Sequence, residues 1–315
     1  LNIMKEDILH MPEGLIVKAL SGYYYVSSLD QDGRPVSGEA TVQCRARGLF
    51  KKKEITPLVG DRVVYELTEN GEGMVKEIRK RTTELIRPPV ANTTLAVLLF
   101  SLREPDLNLP LLDKFLVHIE HAGLDTIICL TKRDLYEGSP SEDDKVLMVQ
   151  EMYRKIGYEV LVTSARTGEG TAELKKLLAG QISVFSGQSG VGKSSMLNAL
   201  EPGLTLETSA ISNKLGRGRH TTRHVELIPL DNGGFVADTP GFSQLDFLEL
   251  GVDELSPCFR EFQQYAEGCK FRGCTHIHEP GCKVREALEE GHISQGRYDS
   301  YMQFYQELKE KKRRY

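Results

Sequence analysis

The stretch Ile182-Ser-Val-Phe-Ser-Gly187-Gln-Ser-Gly-Val-Gly-Lys-Ser194, with Ser195-Met-Leu-Asn-Ala-Leu200 after it, decides the fold. Its apolar run Ile182–Phe185 reads as a strand, the turn satisfies G-x-x-x-x-G-K-[ST], and the residues that follow read as a helix. Gly187, Gly190 and Gly192 allow backbone N–H groups to wrap a β-phosphate at the helix N-terminus. Lys193 is placed to reach β- and γ-phosphate oxygens, and the Ser194 hydroxyl to ligate Mg²⁺. Gln188, Ser189, Val191 and Ser195 complete the predicted cradle. Strand, loop and helix together predict a nucleotide-binding α/β domain.

Working outward, Leu95-Ala-Val-Leu-Leu-Phe100 is the continuous apolar run of a strand buried on both faces. Leu111, Leu112, Phe115, Leu116, Ile119 and Ala122 repeat at helical spacing, and Gly123 is placed to end that helix. A strand at Thr126–Leu130, a helix around Asp144–Lys155, a strand at Glu159–Val162 and a helix near Glu173–Leu178 follow. This alternation predicts a mainly parallel sheet.

Three further signals end candidate strands of the same domain. Thr131-Lys132-Arg133-Asp134 has the [NT]-K-x-D form, and its Asp134 carboxylate can accept both N1–H and N2–H₂ of guanine. Adenine offers no such pair, and a buried acceptor left unmatched is costly, so the expected nucleotide is GTP or GDP. Thr163-Ser164-Ala165 caps the next strand, where the Ala165 N–H would meet guanine O6. Asp238-Thr-Pro-Gly241 has the D-x-x-G form: Asp238 would hold Mg²⁺ through water, and the Gly241 N–H would meet the γ-phosphate. Thr131 stands where Asn is commoner, which predicts weaker purine contacts or loop anchoring without a change of base choice.

The order of these motifs is unusual. Ras-like GTPases run phosphate loop, switch threonine, D-x-x-G, [NT]-K-x-D, S-A. Here the run is 131–134, 163–165, 187–194, then 238–241. That is the same sheet cut between the third and fourth motifs with the old ends joined, a circular permutation that neighbouring termini make tolerable.

The flanking segments differ in texture. Leu15–Leu20, Tyr23–Ser28, Ala40–Arg45, Asp61–Leu67 and Met74–Ile78 read as five short strands, with turns at Asp32-Gly33 and Asn70-Gly71. They predict a small closed barrel of the OB type, an SH3-like barrel being the nearest rival. Basic residues at Arg45, Arg47, Lys51, Lys52, Lys53, Arg79, Lys80 and Arg81 are either solvated loop charge or an RNA-facing surface. Near the other end, Cys269, Cys274, His276 and Cys282 fall within fourteen residues. Three thiolates and an imidazole make a closed Cys₃His set, the pattern of structural zinc, although His278 could replace His276 on spacing alone. Cys44, Cys129 and Cys258 have no matching partners, and Cys129 reads as core. A polar helix then leads to the basic end Lys309-Glu-Lys-Lys-Arg-Arg-Tyr315.

With 315 residues, 40% hydrophobic and 27% charged, the chain can build two or three packed domains and is not disordered, collagen-like or solenoidal. No apolar run approaches the roughly 18–20 residues a membrane span needs. The opening LNIMKEDILHMPEG lacks a secretory pattern, which predicts a reducing, cytoplasmic setting where cysteines are thiols or metal ligands. A net charge of −5 leaves any RNA binding to local basic patches.

On TKRD, TSA, GQSGVGKSS, GRGRHTTR at 216–223, DTPGF and Cys269-x4-Cys274-x-His276-x5-Cys282, the chain resembles a family of bacterial GTPases. These are the circularly permuted, ribosome-small-subunit-dependent enzymes of the RsgA/YjeQ/YloQ family. The resemblance covers nearly the whole chain and implies an OB barrel over 1–86, the permuted GTPase over 87–248 and a mainly helical zinc domain with a C-terminal helix over 249–315. It favours His276 over His278 as zinc ligand. It implies a monomer away from membranes that hydrolyses GTP when stimulated by the small ribosomal subunit, contacts its rRNA and assists its late maturation. Phe242 occupies the place of the water-orienting Gln of Ras-like enzymes, and the family assigns a catalytic role to His220, whose other reading is a loop or RNA contact. Alignment of T-T-R with related GTPases places Thr222 as the Mg²⁺ and γ-phosphate ligand, with Thr221 beside it. A GTP-gated RNA-binding scaffold with incidental slow hydrolysis is the alternative. A P-loop ATPase or kinase is disfavoured by Asp134 and Ala165.

Overall fold

The structure, a computed structural model, describes residues 11–30, 40–46, 48, 50, 55–86, 89–136, 140–204, 225–238 and 250–312. They fall into two compact units, one drawn from within Leu1–Leu95, Ala172–Phe185 and Leu200–Phe242, the other from Ala96–Thr171, Ser186–Ala199 and Ser243–Tyr315.

In the first unit, β1 (Glu13–Leu20), β2 (Tyr23–Ser28), β3 (Val42–Ala46), β4 (Arg62–Leu67) and β5 (Gly73–Ile78) pair in the order β1-β2-β3-β5-β4. β4 returns to β1 with Gly14 opposite Val63, and β3 runs parallel to β5, which closes the five-stranded Greek key of an OB barrel. Apolar residues fill it: Leu15, Ile16, Val26, Cys44, Val63, Tyr65 and Val75 are buried. Two glycines let strands approach. A Cβ on Gly14 would lie 2.3 Å from Val26 Cγ1, and one on Gly73 2.3 Å from Cys44 Sγ. The register of β1 shifts between Ile16 and Lys18, so its second half leaves β4 and meets a strand at Glu226–Pro229. Lys18 sits opposite Glu226 there and forms an ion pair at 2.9 Å. The short hairpin β6 (Glu84–Ile86) and β7 (Pro89–Ala91) follows the barrel.

Leucine and valine dominate β8 (Leu95–Ser101), whose residues are buried throughout. In the second unit it stands beside β9 (Asp125–Thr131), which is parallel to β10 (Glu159–Val162). Helix α1 (Leu109–His121) begins where the Asn108 side chain accepts the Leu111 N–H and ends before Gly123, at φ +68°. Helix α2 (Pro140–Ile156) precedes β10 and extends four residues earlier than the sequence spacing predicts. After α3 (Thr171–Leu177), β11 (Ile182–Ser186) leads to α4 (Lys193–Leu200). In the first unit, β12 (Glu226–Pro229) pairs antiparallel with β13 (Phe235–Asp238), which is parallel to β11. β12 has no counterpart in the sequence reading, because four residues carry too little alternation to register.

The C-terminal part of the second unit holds α5 (Val252–Leu255), α6 (Arg260–Ala266), α7 (Lys283–Glu289) and α8 (Gln295–Lys312). Phe259, Phe262, Val284, Tyr301 and Phe304 form its core together with Val117 of α1. A buried polar cluster ties the same helices. Arg297 of α8 donates to Asp113 of α1 at 2.6 Å and to Glu261 of α6 at 2.6 and 3.2 Å, and Tyr153 of α2 donates to Asp113 at 2.7 Å. One guanidinium between two buried carboxylates fixes these helices in register, since none of the three charges has water to fall back on.

Candidate functional site

The phosphate loop runs from the end of β11 into α4. Gly187, Gly190 and Gly192 have φ of +143°, +83° and +98°, conformations that glycine alone adopts freely. At Gly187 space forbids anything larger, since a Cβ would lie 2.1 Å from the Leu99 carbonyl oxygen. Lys193 Nζ donates to the carbonyls of Gly187 and Gln188, both at 2.7 Å. Two of the three ammonium donors therefore brace the loop, and the third remains for an anion. Burial lowers the Lys193 ammonium below its ordinary pKa, a desolvation that an anionic ligand would offset. Ser189, Val191, Ser194 and Ser195 lie on the same loop and first helical turn.

The TKRD and TSA motifs sit at the ends of β9 and β10, beside that loop. The buried Thr131 hydroxyl donates to the Val191 carbonyl at 2.6 Å, across sixty residues of chain. Thr131, expected to weaken purine contacts or loop anchoring relative to Asn, holds the loop through its hydroxyl, because a short side chain on β9 reaches Val191 directly. Lys132 adopts φ +60°, which turns the chain sharply, and its ammonium donates to the Glu104 carbonyl. Arg133 N–H donates to Thr163 O at 3.1 Å, binding the two motifs together. Asp134 Oδ1 accepts the Ser164 hydroxyl at 2.6 Å, which fixes the plane of the carboxylate. Its Oδ2 is 2.8 Å from Arg166 Nε. The backbone after Ser164 is held by Ser164 N–H to Glu169 O and Gly168 N–H to Ser164 O, so Ala165 occupies a fixed turn. The arrangement offers a carboxylate held at both oxygens beside a glycine-rich loop braced by Lys193.

β13 carries Asp238 in its backbone ladder, opposite Glu226. The Asp238 side chain, Gly241, His220, Thr221, Thr222 and Phe242 lie outside the described residues, as do Lys51, Lys52 and Lys53.

Cys269, Cys274, His276 and Cys282 come together with all ligand atoms within 4.8 Å of one another. Tetrahedral zinc requires edges of about 3.8 Å between sulfurs and about 3.6 Å between sulfur and nitrogen. Cys269 Sγ and Cys282 Sγ are 4.0 Å apart, and His276 Nδ1 is 3.7 Å from the first and 3.4 Å from the second. The donor set and its edges fit such an ion. His278 is exposed and is not among the clustered ligands. Burial lowers the pKa of His276, keeping the neutral form that ligates, and pushes the Cys274 thiol up to about 12. A divalent cation reverses the second effect by stabilising thiolate.

His276 takes φ +60°, a strained conformation for a side chain of its size. Its support comes from Glu279, whose carboxylate accepts the Thr275 N–H and hydroxyl and the N–H groups of Ile277 and His278. Burial pushes that carboxyl up, but these hydrogen bonds prevail and hold it down at about 2. Tyr298 and Tyr301 of α8 donate to the carbonyls of His276 and Thr275, at 2.7 and 2.6 Å. Sequence reading missed Glu279, Tyr298 and Tyr301. An acid three residues after the histidine was the one local signal available.

Comparison with known proteins agrees along the chain. The family model described as RsgA GTPase matches residues 78–248, and that of the RsgA N-terminal domain matches residues 13–75. A relative from Geobacillus kaustophilus (strain HTA426), named small ribosomal subunit biogenesis GTPase RsgA, is 53% identical over 305 residues, covering 97% of this chain and 100% of the relative. One of the same name from Bacillus subtilis (strain 168) is 50% identical with the same coverage. Among solved structures, YloQ, described as a circularly permuted GTPase, superposes with a TM-score of 0.81 at 44% identity and covers 96% of each chain. YjeQ from Thermotoga maritima gives 0.81 at 36% identity, over 94% of this chain and 98% of that one.

Proposed function

The chain belongs to the RsgA GTPase family, and from that membership we propose that it hydrolyses GTP to GDP and phosphate on the small ribosomal subunit, whose late maturation it assists. The observation that carries the reading is the Thr131–Val191 hydrogen bond, which locks the guanine-type carboxylate loop onto a complete phosphate loop. In this reading Asp134, oriented by Ser164, accepts the guanine N–H groups, with Lys132 and Ala165 at the ring. The loop 187–192 receives the phosphates, and the remaining Lys193 donor faces the γ-phosphate. Mg²⁺ would be held by Ser194 and Thr222 and would neutralise developing phosphate charge. Asp238 and Gly241 complete the γ-phosphate end, Thr221 lies beside Thr222, and His220 positions the attacking water.

Cys269, Cys274, His276 and Cys282 would hold one structural zinc, which leaves no open position for chemistry. We assign three modules, 1–86, 87–248 and 249–315, the first and last facing rRNA. The protein acts as a cytoplasmic monomer away from membranes. Among the described residues no helix is long and apolar enough to cross one.

The test is steady-state GTP turnover with and without purified small subunits, for the wild type and His220→Ala. Stimulated turnover in the wild type, reduced about 10²–10³-fold in His220→Ala with GTP affinity kept, supports the reading. Turnover indifferent to subunits refutes stimulated hydrolysis and leaves a GTP-gated RNA-binding scaffold.

A further inference from the structure

We propose that Arg166 competes with the guanine base for Asp134, so that base binding is an exchange reaction set by this arginine. The inference rests on the reading of Asp134 as the base acceptor. Asp134 is a confined carboxylate, its side chain 9% exposed, and such a group is costly to leave without a cation. Ser164 supplies a neutral hydrogen bond to Oδ1, which leaves the charge itself uncompensated. Two nearby cations are committed elsewhere: Lys132 to the Glu104 carbonyl, and Arg133 to Asp143 at 2.6 Å and to the Tyr136 carbonyl at 3.2 Å. Among the described residues Arg166 is the cation that reaches Asp134, with Nε 2.8 Å from Oδ2.

Its position is set by the backbone. Arg166 follows Ala165 in a turn closed by the Ser164–Glu169 and Gly168–Ser164 hydrogen bonds. Gly170, at φ +69°, packs so tightly that a Cβ would lie 2.4 Å from the Val162 carbonyl oxygen. The turn cannot drift, but the guanidinium can. Its side chain is 74% exposed and has open solvent to swing into. Guanine needs both carboxylate oxygens as acceptors, one for N1–H and one for N2–H₂. Oδ2 is the atom Arg166 holds, so a base donor arriving there must share that oxygen with the guanidinium or displace it, and sharing weakens both bonds. By linkage, any anion that draws Arg166 outward raises affinity for the base, and the base raises affinity for that anion equally. A backbone phosphate of a nucleic acid has the required chemistry.

Guanosine isolates the exchange, because it carries no charge and its own binding is insensitive to salt. The experiment titrates guanosine and GDP against the full-length wild type, Arg166→Ala and Asp134→Asn at low and high salt. Arg166→Ala is expected to bind guanosine about two- to fivefold more tightly at low salt, the range of an exposed ion pair. Wild-type affinity for guanosine should rise with salt toward that of the variant, which should stay flat. Equal guanosine affinities at every salt, or weaker binding by Arg166→Ala, overturn the proposal; the second result would make Arg166 a base-holding residue. Guanosine binding undiminished in Asp134→Asn would refute the base site itself, a failure distinct from that of the exchange.

Discussion

Replacing Thr131 by valine tests the joint between the base and phosphate loops. Valine matches threonine in volume and β-branching, so β9 and its packing stay intact while the hydroxyl is lost. The Val191 carbonyl then has no donor in a buried setting, at a cost of about 1–3 kcal/mol. That cost divides between two observables. If the loop keeps its shape, folding stability falls by the full amount. If the loop relaxes to find water, the stability returns but the cradle must be rebuilt on binding, and GDP affinity falls by up to roughly 5- to 150-fold. The losses in urea-unfolding free energy and in GDP binding free energy should therefore sum to about 1–3 kcal/mol. Guanosine, which has no phosphate, should bind as in the wild type, because the Asp134–Ser164 pair is untouched. Thr131→Asn should lose less than the valine variant, since its amide can donate to the same carbonyl. Unchanged stability together with unchanged GDP affinity in Thr131→Val would refute the coupling.

Arg297→Met should lower thermal stability by about 3–5 kcal/mol, because Asp113 and Glu261 are left buried without their counter-charge. Adding Asp113→Leu and Glu261→Leu should recover most of it, and a single variant as stable as the wild type would show that the cluster is solvated. Metal analysis should find about one zinc per chain. Cys274→Ser should lower zinc content and increase amide exchange over Cys269–Cys282. Full metal retention with Cys269, Cys274 and Cys282 all changed to serine would remove the assignment.

The residues legible from sequence were those whose chemistry is encoded at short spacing. The phosphate loop announces itself because glycine is needed at Gly187, Gly190 and Gly192, and the cysteine cluster because a single ion gathers ligands from one short segment. The buried strands were legible from unbroken apolar runs such as Leu95–Phe100. What sequence could not offer were pairs made by the fold. Thr131 and Val191 lie sixty positions apart, and Asp113 and Arg297 one hundred and eighty-four. No periodicity links such positions. Thr131 shows the same limit: its departure from asparagine was visible, its reach to Val191 was not. Arg166 carries no signal in the sequence; the turn at Ser164–Gly170 aims it at Asp134.

A permuted chain that reads guanine through Asp134 should exchange its base preference when that carboxylate is changed. Asp134→Asn replaces an acceptor by an amide donor that matches the C2 carbonyl of xanthine and leaves guanine N2–H₂ facing a donor. Equilibrium titration of GTP and XTP against both proteins should show the wild type preferring GTP and the variant preferring XTP, with Lys193 and the phosphate loop intact in each. A variant that still prefers GTP by the wild-type ratio would place the base elsewhere.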